Sequence, residues 1–477
     1  MNPIAKIFYI VISSSLGILL LFCLVNFDIT NNWFLPLSLI ILMLLFIMAA
    51  LNTNWLFLFL ILIFPTAYKF NYYKIDLTQY LFSKNYGSIL INPIALLYLV
   101  IITIGLIIIL TNWQKIKQLP LRYIILLFTS YVILSIFWSD YKSISIIGAI
   151  YFCVPFMMYV ISFVNFSGTK NLMKIIFFSV TSSVIPVVSA IYQIITNNYF
   201  FEQDSSLGRL TGTFAHPNSF GLYLFVILSL IFSYYLAKKN RKIEKNILIA
   251  IYFLIITIIF ILTYSRVSWV SFSIFIILFT FFENKLLLLW GSLLPIITFI
   301  ILMSENIRNR IVELASLSIY SSWASRKNIW DVIWKEFMKK PLTGHGIGIS
   351  ETVIENSKPW RGGSSLPHND ILLHALELGI TGIILFFAYT FGAIFYTFKT
   401  YVNITNKYQK VKFLGREVEI NIKIFCFGVA MILLATIPSI IFESASQKII
   451  TQIIIWSILG AMFTQKNTVS QNRINTR

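Results

Sequence analysis

The feature that most constrains this chain is a series of long apolar runs separated by short polar stretches. The runs lie near residues 7–25, 33–50, 54–68, 89–110, 121–138, 144–166, 172–196, 218–237, 247–264, 267–282, 286–303, 371–397, 424–442 and 449–464. Hydrophobic residues make up 58% of the 477 residues and charged residues only 12%, which rules out a soluble core. The pattern predicts an all-α fold, a polytopic membrane helix bundle of about 12–14 transmembrane helices.

Two of these runs are short for a membrane span. The run at 54–68 contains Pro65, and the run at 267–282 barely reaches the required length, so either could be tilted, re-entrant or joined to its neighbour. No small-residue cleavage site follows the first run, so we expect it to remain as a membrane anchor. All three cysteines lie inside apolar runs and are interpreted as small hydrophobic residues: Cys23, Cys153 and Cys426.

The excess of basic residues gives a formal net charge of +19. In a soluble protein this charge would suggest nucleic acid as a partner, but in a membrane protein it first reports orientation, because Lys and Arg concentrate in cytoplasmic loops. With the N-terminus in the cytoplasm, cytoplasmic segments contain 21 of the 37 basic residues and short external loops contain seven; a long loop contains the other nine. This distribution predicts that both termini lie in the cytoplasm. It also indicates that the partner of this basic chain is a lipid bilayer and not nucleic acid.

One long external loop divides the chain into three parts. Residues 1–303 contain the first eleven predicted helices, residues 304–370 form the loop, and residues 371–477 contain the last three helices and a tail. Within the loop, apolar residues recur at helical spacing from Ser325, the expected N-cap, to Lys340, just before a proline. This amphipathic helix either lies in the outer membrane–water interface or packs on the bundle, and the sequence leaves both alternatives open.

Polar residues that are hard to explain structurally converge on the external side. They are Arg209, His216 and Asn218 in GRLTGTFAHPNSFG, Arg266 in TYSRVSW, Arg326 near the start of the amphipathic helix, and His368 in SLPHND. A single arginine at a membrane boundary is often only an interface anchor. As a set, however, these residues could bind the diphosphate of a lipid at the depth of the headgroups. A planar guanidinium group can donate two hydrogen bonds to a phosphate, and a helix N-terminus also binds anions.

Histidine is the candidate for proton transfer. His368 could take a proton from an attacking hydroxyl, because a histidine ordinarily titrates near neutral pH, although a lone His is more often structural. His374 and Glu377 lie one turn apart in the next helix, where we favour structural support over a proton relay. His368 and His374 are six residues apart, and no Cys or carboxylate completes a plausible ligand set, so we expect neither a metal nor a cofactor.

The segment HNDILLHALELGITG resembles the signature of the O-antigen ligase and O-antigen polymerase superfamily. The signature is a His and an Asn, nine residues, a Gly, two residues and a Gly, and its fixed positions are occupied by His368, Asn369, Gly379 and Gly382. The segments around the three arginines also resemble that family, and the similarity is good from about residue 205 to residue 382.

The resemblance implies a C-type, metal-independent glycosyltransferase that uses undecaprenyl-diphosphate-linked glycan at the periplasmic face of the bacterial inner membrane. By position, it implies His368 as the base and Arg209 and Arg266 as the diphosphate-holding arginines. Arg326 matches a loop arginine whose role is less defined. The supporting residues would be Asn369, His374, Glu377, Gly379, Gly382, His216 and Asn218.

The resulting expectation is transfer of this glycan to a lipid or glycan hydroxyl, by a displacement that inverts the anomeric carbon. A lipid A core acceptor would make the protein an O-antigen ligase, a lipid-linked repeat unit a polymerase, and a protein acceptor an O-oligosaccharyltransferase. A lipid-glycan flippase is a rival from another class, but the cations lie at the outer boundary rather than at the midplane. A metal-dependent transferase is disfavoured because the first external loop offers only Asp28.

Overall fold

The computed structural model describes most of the chain as helices. The described residues are 3–26, 34–67, 75–76, 90–91, 93–201, 208–239, 247–282, 322–357, 366–404, 408–413 and 416–465. The predicted run at 286–303, the first part of the external loop, Asp28 and the C-terminal tail lie outside the described residues.

The described helices follow the apolar runs. They are α1 (Pro3–Asn26), α2 (Phe34–Ala67), α3 (Pro93–Thr111), α4 (Trp113–Ile116), α5 (Arg122–Trp138), α6 (Lys142–Asn165), α7 (Thr169–Thr181), α8 (Val184–Ile195), α9 (Pro217–Ala237), α10 (Ile247–Leu262), α11 (Arg266–Phe282), α12 (Ser322–Phe337), α13 (Ser350–Asn356), α14 (Asp370–Asn403), α15 (Ile422–Ala435), α16 (Ile437–Phe442) and α17 (Ile449–Phe463). Among the described residues, β1 (Ile75–Asp76) pairs with β2 (Leu90–Ile91), and β3 (Tyr408–Phe413) pairs with β4 (Arg416–Asn421), each pair antiparallel.

By length and composition, six helical segments of the described chain can cross a membrane: Ile40–Thr66, Lys142–Asn165, Thr169–Ile195, Pro217–Ala237, Asp370–Asn403 and Ile422–Phe442. Shorter apolar helices accompany them: Pro3–Gly17, Leu97–Thr111, Arg122–Trp138, Ile247–Leu262, Arg266–Phe281 and Ile449–Phe463. The fold is therefore an all-α polytopic membrane helix bundle, as predicted.

The two runs at 33–50 and 54–68 form one element, α2, with an interruption at Asn52. This residue has φ −159° and ψ 96°, outside the helical region. Its side-chain oxygen accepts hydrogen bonds from the backbone N–H groups of Asn54 and Trp55 at 3.0 and 3.3 Å, which caps the second half of the element. Joining to a neighbour was one of the alternatives expected for the short run.

The run at 172–196 also contains a break, which the apolar pattern alone did not predict. Helices α7 and α8 are separated at Ser182 and Ser183. Pro186 explains the position, because it has no backbone N–H to donate to the carbonyl four residues earlier. Next to the break, the hydroxyls of Ser182 and Ser183 donate to the carbonyls of Ser179 and Val180 at 2.7 and 2.6 Å.

The bundle core is built around α9, α6 and α17. Of the long spans, α9 is the most enclosed, with 83% of its most apolar stretch buried. Helices α6 and α17 approach closely at Gly460, where an added Cβ would lie 2.5 Å from the carbonyl oxygen of Tyr159. Beside it, the Ser162 hydroxyl donates to the Ser457 carbonyl. This close packing joins the C-terminal helix to the middle of the chain.

The amphipathic helix α12 packs on the bundle. Ile329 and Ile333 are buried in a cluster with Ile354 of α13 and Leu376 of α14. The helix begins at Ser322, so Ser325 lies within its first turn and the prediction that Ser325 is the N-cap was wrong. The helix ends at Phe337 and turns continue to Lys340.

The β3–β4 hairpin lies in the segment at 398–423, which the charge distribution predicts to be cytoplasmic, and the apolar pattern does not predict its strands. Its register places Lys410 opposite Glu419 and Lys412 opposite Glu417, so opposite charges face each other across the strands. Lys239, which follows α9, reaches Glu419 at 2.7 Å. The hydrogen bond from Lys239 lowers the pKa of the Glu419 carboxyl, and the hairpin is thereby tied to the end of α9.

Candidate active site

The signature helix α14 is broken inside the bundle at Gly379. This residue has φ 68° and ψ −165°, a conformation available almost only to glycine. An added Cβ would also overlap the backbone carbonyl of Leu342. Gly379 therefore serves both the backbone turn and the close approach of the loop that contains Leu342.

The loop PLTGHGIGI, residues 341–349, supplies the hydrogen bonds that the helix break removes. The N–H groups of His345 and Gly346 donate to the carbonyls of Leu376 and Glu377 at 3.0 and 2.8 Å. In return, the N–H of Ile380 donates to the Pro341 carbonyl at 2.8 Å. A broken helix is stable in a membrane protein only when such backbone groups find partners in the protein, and here the loop at 341–349 provides them.

The polar pair in the first half of α14 is buried but does not form an ion pair in the described structure. Glu377 accepts a hydrogen bond from the Ser350 N–H at 3.3 Å. The His374 ring packs against Phe386 and Phe128, with centroid separations of 4.5 and 5.8 Å. Neither His374 nitrogen has a hydrogen-bond partner among the described residues. These contacts place both side chains in the packing around the helix break.

The N-terminus of α14 presents His368 to the site. Asn369 caps the helix, because its side-chain oxygen accepts from the N–H groups of Ile371 and Leu372 at 2.9 and 3.0 Å. His368 precedes the cap and has a positive φ of 50°, which is uncommon for a residue other than glycine. The chain therefore turns sharply at His368 before the helix begins, and the ring stays partly exposed.

Glu443, which follows α16, lies at the centre of the predicted site residues. Its side chain is buried, yet it meets groups from three other parts of the chain. One oxygen, Oε1, accepts from the Asn218 amide and lies 3.4 Å from an Arg326 terminal nitrogen. The other, Oε2, lies 3.9 Å from His368 Nδ1 and has no hydrogen-bond partner among the described residues. The carboxylate thus faces a cation on one side and the candidate base on the other.

Arg209 extends this network on the protein side. Its side chain is only 2% exposed. The guanidinium donates to the Thr263 carbonyl at 2.9 Å, to the Tyr264 carbonyl at 3.5 Å and to the Asn218 side-chain oxygen. These hydrogen bonds fix the Arg209 cation next to Asn218, whose amide reaches Glu443. They also connect the Arg209 loop to the turn after α10.

The second predicted arginine, Arg266, follows that turn. The Leu210 N–H donates to the Leu262 carbonyl at 3.3 Å, which brings the Arg209 loop alongside the end of α10. Arg266 begins α11 and is half-buried. Arg266 therefore lies three residues after Thr263, whose carbonyl accepts a hydrogen bond from Arg209. The Arg266 side chain is more accessible than that of Arg209.

His216 has a local structural contact. It is the N-cap of α9, and its Nδ1 accepts a hydrogen bond from the Asn218 N–H at 3.1 Å. Accepting through Nδ1 leaves Nε2 to carry the proton of a neutral ring. His216 thus orients the first turn of α9, from which Asn218 reaches Glu443.

The structure brings together Arg209, Asn218, Arg326 and His368. It adds two acidic residues that the sequence analysis does not predict, Glu443 and Asp370. Asp370 is fully buried and contacts Ser446, three residues after Glu443. A signal for Glu443 was present in the sequence: it is an acidic residue in the short turn between the last two apolar runs. The positive charges and histidines that mark the other candidate residues do not single out this carboxylate.

The fold and this site define a polytopic membrane protein in which a histidine, a carboxylate and arginines meet at the ends of its helices. Residues 250–387 match the family model described as O-antigen ligase, which confirms the resemblance over this part of the chain. The matched segment contains Arg266, Arg326 and the complete His368–Gly382 signature, whereas Arg209 and Glu443 lie outside it.

Two curated proteins are similar to parts of the chain. A "putative polysaccharide ligase" of Rickettsia felis is 31% identical over 209 residues, which cover 39% of this chain and 49% of that protein. A second "putative polysaccharide ligase", from Rickettsia conorii, is 32% identical over 129 residues, covering 25% of this chain and 29% of that protein. The chain thus spans about half the length of the first relative and less than a third of the second.

Proposed function

We propose that the protein transfers a glycan from an undecaprenyl-diphosphate-linked donor to a hydroxyl acceptor at the outer face of the bacterial inner membrane. We favour an O-antigen ligase, with lipid A core as the acceptor. The observation that carries this proposal is the meeting of His368 and Arg326 at the buried Glu443 carboxylate, at 3.9 and 3.4 Å. The O-antigen ligase match and the names of the two relatives support the reaction class.

The proposed reaction is a direct displacement at the anomeric carbon. The acceptor oxygen forms a bond to this carbon while the bond from the carbon to the diphosphate oxygen breaks. His368 takes the acceptor proton on Nε2, and the Glu443 carboxylate stabilises the imidazolium from the Nδ1 side. The separation of 3.9 Å is longer than a hydrogen bond, and we expect it to shorten when substrate binds. Such a displacement inverts the configuration at the anomeric carbon.

We propose different roles for the arginines because their surroundings differ. Arg266 and Arg326 are partly exposed and hold the diphosphate as it leaves. Arg209 is buried and bonded to two carbonyls, so it contributes positive potential and fixes the turn that presents Arg266. This division refines the expectation that Arg209 and Arg266 grip the diphosphate together.

The test is transfer by purified full-length protein in lipid nanodiscs. The donor is undecaprenyl-diphosphate-linked glycan, offered with lipid A core or with a second lipid-linked repeat unit. Attachment to lipid A core supports a ligase, and chain growth on the donor supports a polymerase. Movement of the donor across a liposome bilayer without a new glycosidic bond would contradict the proposal and favour a flippase.

A deletion strain gives a second readout. Loss of all long chains from the lipid core indicates a ligase, whereas cores capped with a single repeat indicate a polymerase. An unchanged surface-glycan profile would contradict both assignments.

A further inference from the structure

The segment from Glu443 to Lys448 presents Glu443 without the support of a regular helix. Its only element is a single 3₁₀ turn, Ala445–Gln447. Ser444 has a positive φ of 49°, a left-handed conformation that costs free energy for a residue with a Cβ. The direction of Glu443 therefore depends on contacts that hold this segment in place.

Asp370 provides those contacts. It is fully buried in the first turn of α14, two residues after His368. Its oxygens accept hydrogen bonds from the Ser446 backbone N–H, at 3.2 and 3.1 Å, and from the Ser446 hydroxyl. One carboxylate thus takes two donors from a single residue of the Glu443 segment.

Helix capping does not account for Asp370. An acidic residue in the first turn of a helix is favourable for the helix dipole wherever it points. Here Asn369 already accepts from the first free N–H groups of α14, while Asp370 is directed away from the helix to Ser446. Burial of a carboxylate costs free energy unless the carboxylate is fully hydrogen-bonded. The hydrogen bonds from Ser446 offset this cost and join the start of α14 to the Glu443 segment.

We propose that Asp370 is a positioning residue for glycan transfer. It fastens the Glu443 segment to the same helix turn that presents His368, and so fixes the Glu443 carboxylate relative to the His368 ring. This inference rests on the proposed function, because it gives Asp370 its effect through the His368–Glu443 pair. Asp370 does not touch substrate, and its loss lowers the rate of transfer while donor binding stays nearly unchanged.

The experiment compares Asp370→Ala, Asp370→Asn, Ser446→Ala and the double variant Asp370→Ala/Ser446→Ala. Full-length proteins in nanodiscs are assayed for kcat, for the donor KM and for thermal unfolding. We expect Asp370→Ala to lower kcat about 10- to 100-fold, the usual effect of losing hydrogen bonds to a charged group, with the donor KM within about threefold. Ser446→Ala should cost less, since the backbone N–H still binds Asp370. The double variant should be no slower than Asp370→Ala.

The conservative variant and a control separate positioning from general damage. Asp370→Asn keeps the shape and one acceptor oxygen, so it should recover part of the lost kcat. Asp331→Asn removes an exposed carboxylate from α12 and should leave kcat unchanged. If Asp370→Ala does not fold, the kcat values of Asp370→Asn and Ser446→Ala decide the matter. A normal kcat in the folded Asp370 variants, or a fall in kcat matched by an equal loss of folded protein, would overturn the inference.

His368→Ala is measured in the same series to keep the two proposals apart. An active His368→Ala protein would contradict the proposed base. An inactive His368→Ala protein together with fully active Asp370 and Ser446 variants would contradict only the positioning role.

Discussion

At the level of single residues, Glu443 is the side chain at which distant parts of the site meet. Its partners Arg326 and Asn218 are 117 and 225 residues away in the chain. Only folding brings these groups to one carboxylate. No local sequence pattern therefore predicts Glu443, whereas His368 and Arg266 stand in short recognisable motifs and were predicted.

Replacing Glu443 with Gln tests the carboxylate beside the candidate base. The anion favours a protonated His368 ring, so its removal should make the ring deprotonate at lower pH. Since only neutral imidazole accepts a proton, the midpoint of the rise in activity with pH should move to lower pH. We also expect kcat to fall about tenfold or more, because the imidazolium loses its stabilising charge. A pH–rate profile measures both, and an unchanged midpoint would remove Glu443 from the mechanism.

The two lysine substitutions at the arginines should have different effects. Arg209→Lys cannot reach Thr263, Tyr264 and Asn218 together, so we expect a loss of about 1–3 kcal/mol of stability, seen as a lower thermal midpoint. Arg266→Lys should fold normally and raise the donor KM about tenfold, because an ammonium lacks the planar fork. Equal thermal midpoints for the two variants would argue against the buried structural role of Arg209.

At the scale of elements, the break in α14 shows what the sequence could and could not predict. The Gly379 and Gly382 spacing identified the segment, but an apolar run of this length reads as one continuous span. The break depends on the loop at 341–349, which supplies backbone partners from a distant part of the chain. The apolar pattern predicted the helix order, the fold class and the separation of the two runs on either side of Asn52. It did not predict the break at Ser182, the start of α12 or the β3–β4 hairpin.

Gly379→Ala should destabilise the protein more than a matched glycine substitution. Both Gly379 and Gly168 have positive φ, 68° and 82°, with extended ψ values, so alanine should cost about 1–3 kcal/mol of backbone strain at either site. Nothing lies within 4 Å of an added Cβ at Gly168, whereas at Gly379 it meets the Leu342 backbone. Thermal unfolding should therefore show the larger drop for Gly379→Ala. Equal decreases in the thermal midpoint would mean that the contact with the Leu342 backbone adds no cost to the backbone strain at Gly379.

At the scale of the whole molecule, orientation decides which substrates the site can reach. The charge distribution predicts that Asn198, after α8, faces outward and that Ser167, after α6, faces the cytoplasm; both residues are exposed. Single cysteines at these positions, in a chain without its native cysteines, should differ in labelling by an impermeant thiol reagent in spheroplasts. We expect Asn198→Cys to react and Ser167→Cys to react only after lysis. The reverse pattern would place His368 in the cytoplasm.

The central claim is that His368 accepts the acceptor proton during glycan transfer. The most direct measurement is the transfer rate of purified His368→Ala in nanodiscs, compared with His374→Ala. A general base typically contributes 10²–10⁴-fold, so His368→Ala should lose activity on that order while donor binding and thermal unfolding stay close to normal. His374→Ala, in the packing around the helix break, should lose stability or only a modest part of the rate. A His368→Ala protein that transfers glycan at nearly the normal rate, with an unchanged pH profile, would contradict the account.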